Sequence, residues 1–161
     1  MSAGTAGDGV IAVIDPAGHT PELDCFNAIA ERNQKLPCVF TYHLPALFGM
    51  GSLRELERRT DQLSGIVMFG SAASVHDDMP WQRELNSWLL PKLEYLPVLG
   101  LCYGHQLLAK LLPGGEVSRV WPDGAKWAGL RRVSLLRDEL WGEPSHGPLR
   151  HSDAASCIMY G

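Results

Sequence analysis

No run of apolar residues in this sequence approaches the roughly 18 to 20 needed to cross a bilayer, so a transmembrane helix is excluded. The opening residues, Met1 to Gly9, are small and polar. With no basic stretch ahead of an apolar one they cannot act as a signal peptide, and they predict a disordered leader. Basic residues are not in excess: 14 Lys and Arg stand against 18 Asp and Glu, a formal net charge of -4. Neither nucleic acid nor an anionic membrane is therefore an expected partner. Cysteine is sparse, with Cys25, Cys38, Cys102 and Cys157 far apart and no Cys-x-x-Cys spacing. That excludes a disulfide framework and a zinc site, and no metal or cofactor is expected. Unpaired thiols suit a reducing cytoplasm, where three of the four would be inert, buried small hydrophobes. Internal repeats, low-complexity tracts and linkers are also missing, so residues 10–161 read as one domain.

What is present is an alternation of short apolar runs with amphipathic stretches. Val10 to Ile14 is closed by Asp15-Pro16-Ala17-Gly18, a buried strand and its turn. Pro21 and Glu22 open a helix with Leu23, Phe26 and Ala30 on one face. Cys38 to Tyr42 predicts a second strand. Ser52 with Glu55 then reads as the capping box of a short charged helix. Gly65 to Phe69 predicts a third strand running into Gly70-Ser71-Ala72-Ala73-Ser74, and a helix follows with Trp81, Leu85, Trp88 and Leu89 in one stripe. Leu96 to Leu101 predicts a fourth strand, leading into a helix with Leu107, Leu108, Leu111 and Leu112 that Pro113-Gly114-Gly115 ends. Such an alternation specifies an α/β fold whose mostly parallel sheet has helices on both faces. Beyond Gly115 the pattern weakens to a possible hairpin, Val117 to Val120 against Leu130 to Leu135, turning at Trp121-Pro122-Asp123-Gly124.

The segment Gly100-Leu101-Cys102-Tyr103-Gly104-His105-Gln106 carries the chemistry. A nucleophile between a buried strand and a helix sits on a sharp turn, commonly with positive φ, and its neighbours two residues away must be small. Gly100 and Gly104 satisfy that requirement. A helix N-terminus favours an anion such as a thiolate. The Tyr103 N–H is placed to stabilise a developing oxyanion, and the glycine turn at Gly70-Ser71 is the candidate for a second donor, at the sheet edge where open α/β folds bind ligands.

These residues resemble the nucleophile elbow of class I glutamine amidotransferases, Gly-x-Cys-x-Gly-x-Gln, at every fixed position. Gly70-Ser71 with Ser74-Val75 and Pro80-Trp81 is similar to the oxyanion loop of amidotransferases of the GMP synthase glutaminase type. His151-Ser152-Asp153 resembles the family's His-x-Asp segment. The likeness runs from about Val10 to Asp153. It implies a flavodoxin-like fold and glutamine hydrolysis: Cys102 attacks the side-chain amide, a γ-glutamyl thioester forms, ammonia leaves and water releases glutamate. It further implies oxyanion donors at Gly70 and Tyr103, substrate positioning by Gln106 and by the Ser152-Asp153 backbone, and a synthetase domain or partner chain that accepts the ammonia.

The family's catalytic base is a histidine followed two residues later by a glutamate, in a His-Pro-Glu near the C-terminus. No His-x-Glu occurs in these 161 residues. The resemblance thus implies a chain that stops before this motif, with its last strands incomplete and an apolar face left uncovered. Among the histidines, His105 belongs to the elbow, His151 to the substrate-holding segment and His146 to a Pro/Gly-rich loop, while His19, His43 and His76 read as lone loop or strand-end residues. The alternatives are a catalytically inactive module that binds glutamine or docks on a synthetase, a γ-glutamyl peptide hydrolase, and a cysteine hydrolase of the α/β-hydrolase type.

Overall fold

The computed structural model describes residues 9–59, 62–118, 127–130 and 156–159. Residues 1–8 of the expected leader fall outside them, and Gly9 already begins the first strand. Up to Ser118 the chain forms one compact unit, and residues 119–161 form a second.

In the first unit β1 (Gly9–Ile14) is followed by α1 (Leu23–Arg32) and β2 (Cys38–His43). Next come two short helices, α2 (Pro45–Phe48) and α3 (Gly51–Arg59), then β3 (Leu63–Met68) and α4 (Pro80–Leu89). The 3-10 turn Leu90–Glu94 leads to β4 (Val98–Gly100) and α5 (Tyr103–Leu111). All pairings are parallel and the strand order is β2-β1-β3-β4. This is the flavodoxin-like order, and the α/β architecture expected from the sequence is the one observed.

Register decides which side chains meet. Ala12 is opposite Ile66 and Ile14 opposite Met68, so these four share one face of the sheet. They join Met50 and Leu53 before and within α3, Leu85, Trp88 and Leu89 of α4, and Tyr103 and Leu107 of α5 in a single buried cluster. Each fully buried leucine or isoleucine there contributes about 1.5–3 kcal/mol. The opposite face carries Val13 and its neighbour Tyr42, whose ring packs on Phe26 of α1 at a centroid distance of 4.7 Å. Helices therefore cover both faces, but unequally, because α1 has no buried residue. On β4 the α1 side is open: Leu99, level with Val67, is 52% exposed.

Two expectations need correction. Ser52 does not cap a helix, since α3 begins at Gly51 and the Ser52 hydroxyl bonds Nδ1 of His43 (3.0 Å) instead. The buried ring of a β2 side chain claims a hydroxyl that local sequence offers to the backbone. Cys25 and Cys38 are also not buried, the first being exposed and the second half-buried. The Cys25 thiol lies 3.6 Å from a Glu22 carboxylate oxygen. Partial desolvation first, then that hydrogen bond and nearby carboxylates, raise its pKa, so it is held as a thiol by a different route.

In the second unit β5 (Trp127–Leu130) pairs antiparallel with β6 (Ser156–Met159), Trp127 opposite Met159. Of the hairpin expected from Val117 to Val120 and Leu130 to Leu135, residues 119–120 and 131–135 lie outside the described residues, while Val117 and Ser118 are irregular and Leu130 ends β5. The proposed turn at 121–124 lies outside the described residues. Among the described residues no helix is long and apolar enough to cross a membrane.

His43 yields a pH prediction. It is 5% exposed, and its Nε2 lies 2.8 Å from Thr41 Oγ1, whose hydroxyl donates to the Ile11 carbonyl. Nε2–H therefore donates to Thr41, and Nδ1 accepts from Ser52. Burial pushes the imidazole down to about 4, against about 6.5 when unfolded. Below pH 6.5 the unfolded chain binds a proton that the folded chain refuses, so this stability is complete above 6.5 and lost as pH falls towards 4. Urea titrations of wild type and His43→Gln at pH 7 and pH 4 should show a fall larger in wild type by up to roughly 3 kcal/mol. Equal falls would remove His43 as the cause.

Candidate active site

Because Ile14, His43, Met68 and Gly100 end their strands in register, the turns that follow all emerge at one sheet edge. Cys102 lies in the turn between β4 and α5 with φ 51° and ψ -106°. A non-glycine residue in that region is strained by about 1–3 kcal/mol and persists only where its surroundings enforce it. Here they do: Leu101 N–H donates to the Met68 carbonyl (2.8 Å), and Gly104 N–H to the carbonyls of Leu101 (2.9 Å) and Phe69 (3.3 Å). On the helix side Gln106 N–H donates to the Cys102 carbonyl (3.0 Å). The thiol-bearing residue is exposed, at the N-cap of α5.

The two flanking glycines are sterically required. A Cβ on Gly100 would stand 2.5 Å from the carbonyl carbon and oxygen of Gly104, and one on Gly104 would stand 2.6 Å from the Met68 carbonyl oxygen. Gly70 lies directly beside Cys102, since a Cβ built on it would be 3.8 Å from Cys102 Sγ and 3.4 Å from its Cβ. Tyr103 is the first residue of α5, so its N–H lacks an acceptor within the helix. Cys102, Gly70 and Tyr103 are thus brought together. Gln106 sits one turn into α5, half-buried. Ser152 and Asp153 lie outside the described residues, as does His151.

Other side chains hold this edge in place through long-range bonds that the sequence did not reveal. Asp15 is fully buried at the end of β1 and accepts from Ala17 N–H (2.9 Å), Glu22 N–H (2.7 Å) and the Tyr42 hydroxyl. Burial first, and that bond to Asp15 second, push the Tyr42 phenol upward, so it stays a donor. Ser71 Oγ donates to the Pro16 carbonyl (2.8 Å) and accepts from Ala73 N–H (3.1 Å), tying the Gly70 turn to the β1 turn. Gln82, 3% exposed, accepts from Met79 N–H (2.7 Å) and donates to the Ser74 carbonyl (2.8 Å) and to Tyr103 Oη (3.1 Å). Only Gln82 had a sequence signal, three residues after the turn that precedes Pro80, where a glutamine reaches back to the backbone.

Among the described residues no histidine is hydrogen-bonded to Cys102; the ring of His43 is occupied by Thr41 and Ser52. No group of acidic, histidine or cysteine side chains among them is arranged to hold a metal ion.

Comparison with known proteins adds an independent line. A glutamine amidotransferase-like protein of Schizosaccharomyces pombe is 39% identical over 88 aligned residues, covering 45% of this chain and 36% of that protein. The GMP synthase of Aeropyrum pernix is 37% identical over 109, covering 68% of this chain and 18% of the synthase. Gamma-glutamyl peptidase 5 of Arabidopsis thaliana is 33% identical over 84, covering 51% of this chain and 32% of the peptidase. The chain thus spans well under half the length of these relatives. No family model and no solved structure matches it.

The elbow geometry predicts that Gly100→Ala and Gly104→Ala each destabilise the first unit by about 1–3 kcal/mol or more, because the opposing atoms are backbone. Gly18→Ala, whose Cβ would meet nothing within 4 Å, should change stability little. Chemical denaturation of the three variants checks the ranking, and equal midpoints would refute the close approach.

Proposed function

We propose that this class I glutamine amidotransferase-like chain presents a cysteine for acyl transfer from a γ-glutamyl amide, with Cys102 as nucleophile. The observation that carries the reading is the strained turn at Cys102 (φ 51°), set beside Gly70 at the N-terminus of α5. Cys102 sulfur attacks the side-chain carbonyl of glutamine, the tetrahedral oxyanion is stabilised by the N–H groups of Gly70 and Tyr103, and its collapse expels ammonia to leave a thioester. Gln106 and the Ser152-Asp153 backbone hold the substrate. The relation to GMP synthases supports glutamine as the amide and a synthetase domain or partner as the acceptor of ammonia.

The leaving amine needs a proton, and no His-x-Glu occurs in these residues to supply it. A general acid–base contributes about 10²- to 10⁴-fold, so the elbow by itself retains binding and nucleophilic attack with turnover reduced by that order. A second reading, hydrolysis of γ-glutamyl peptides, is favoured by the likeness to a γ-glutamyl peptidase and uses the same thioester.

Ammonia release from glutamine, measured for wild type and Cys102→Ala, tests the reading. Slow release confined to wild type is the expected result, and glutamate release from γ-glutamyl dipeptides separates the two substrates. Equal release from both proteins would rule Cys102 out. Glutamine binding by calorimetry without release would identify an inactive binding module.

A further inference from the structure

We propose that Gln82 is a positioning residue for the chemistry at Cys102, because its single carboxamide joins the loop that begins at Gly70 to the residue that follows the nucleophile. The inference rests on the reading of Cys102 given above and assigns a role to a side chain on a different helix.

The orientation of this amide is dictated by its partners. Met79 N–H can only donate, so it faces Oε1 at 2.7 Å; the Ser74 carbonyl can only accept, so it faces Nε2 at 2.8 Å. The second Nε2 hydrogen then points to Tyr103 Oη at 3.1 Å. Burial pushes the Tyr103 phenol up to about 12, against the lowering effect of this bond, so Tyr103 remains neutral. All three bonds are at a site 3% exposed, where an unmade bond leaves a buried polar group unpaired.

What the amide holds is the relative placement of two backbone N–H groups. One belongs to Tyr103, whose ring is fixed by Gln82 and lies 6.0 Å from the Trp81 ring. The other belongs to Gly70, at the start of a loop tied down at three further points. Ser71 anchors it to Pro16, Gln82 anchors it at Ser74, and Lys110 of α5 donates Nζ–H to the Val75 carbonyl (2.5 Å). Ser71 ties the loop to the turn after β1, and Lys110 ties it to the last turn of α5, away from Cys102. Among these anchors Gln82 is the one that grips the loop and the elbow residue together. Oxyanion donors act only when held at the reacting oxygen before the charge forms, so a small drift of either group is felt in the rate.

The test compares two electrophiles on the full chain by following mass addition at Cys102. Iodoacetamide reports thiol access and reactivity and does not need an aligned oxyanion site. A γ-glutamyl chloroketone places its carbonyl where the amide would lie; the sulfur–carbon bond forms as chloride leaves. Gln82→Leu should slow the chloroketone roughly 10-fold while changing the iodoacetamide rate less than about 2-fold. Equal slowing of both reagents, or of neither, overturns the proposal. If Gln82→Leu does not fold, Tyr103→Phe, which removes only the elbow end of the connection, is judged by the same ratio, with about 3-fold selective slowing expected. A wild-type protein whose Cys102 reacts with iodoacetamide but not with the chloroketone defeats the underlying reading of the site, an outcome separate from a normal wild type with an unaffected variant.

Discussion

The structure depends on one close approach, the passage of the β4–α5 turn against the end of β3. Gly104 sits where any side chain would strike the Met68 carbonyl, and Gly100 where one would strike Gly104 itself. Only with both side chains absent can Leu101 and Gly104 donate to Met68 and Phe69, and those bonds hold Cys102 at positive φ. Strain at Cys102 is therefore balanced by backbone hydrogen bonds that the glycines make possible. The same approach sets Gly70, one residue beyond Phe69, against the thiol.

Around this contact the strand ends are secured by buried polar groups. Asp15 fixes the turn after β1 and the start of α1, while Ser71 carries that anchorage across to the β3 turn. Gln82 does the same from α4. Each has its hydrogen-bonding capacity engaged inside the fold, which is the condition under which buried polar groups rigidify a site. His43 serves the flank of the sheet, its neutral ring joining β2 to α3 through the Ser52 hydroxyl and bonding Thr41 within its own strand.

The relatives fit this picture at the level of the domain: a fission-yeast amidotransferase-like protein, GMP synthases and a γ-glutamyl peptidase share sequence with this chain. Their common denominator is a γ-glutamyl group. That is the group on which the proposed attack by Cys102 acts, and among the described residues no histidine is hydrogen-bonded to that thiol.

Much of this was legible in the residues themselves. Four apolar runs and the helices between them were set by hydrophobic periodicity, and parallel pairing followed because strand–helix–strand connections of that length permit little else. The spacing of Gly100, Cys102 and Gly104 gave the elbow, since glycine at both flanks is what a strand and helix crossing at contact distance demand. Local pattern misassigned the Ser52 hydroxyl and the burial of Cys25 and Cys38. Asp15, Ser71 and Gln82 stayed hidden for a related reason: their partners lie up to 55 residues away, at Pro16 for Ser71 and 21 away at Tyr103 for Gln82. Sequence determined the four parallel strands, the helices α1, α3, α4 and α5 and the place of Cys102 between β4 and α5, because those depend on neighbours along the chain. Only tertiary structure decided which polar groups are shared between elements, because a hydrogen bond depends on the distance and direction of atoms that the fold alone brings together.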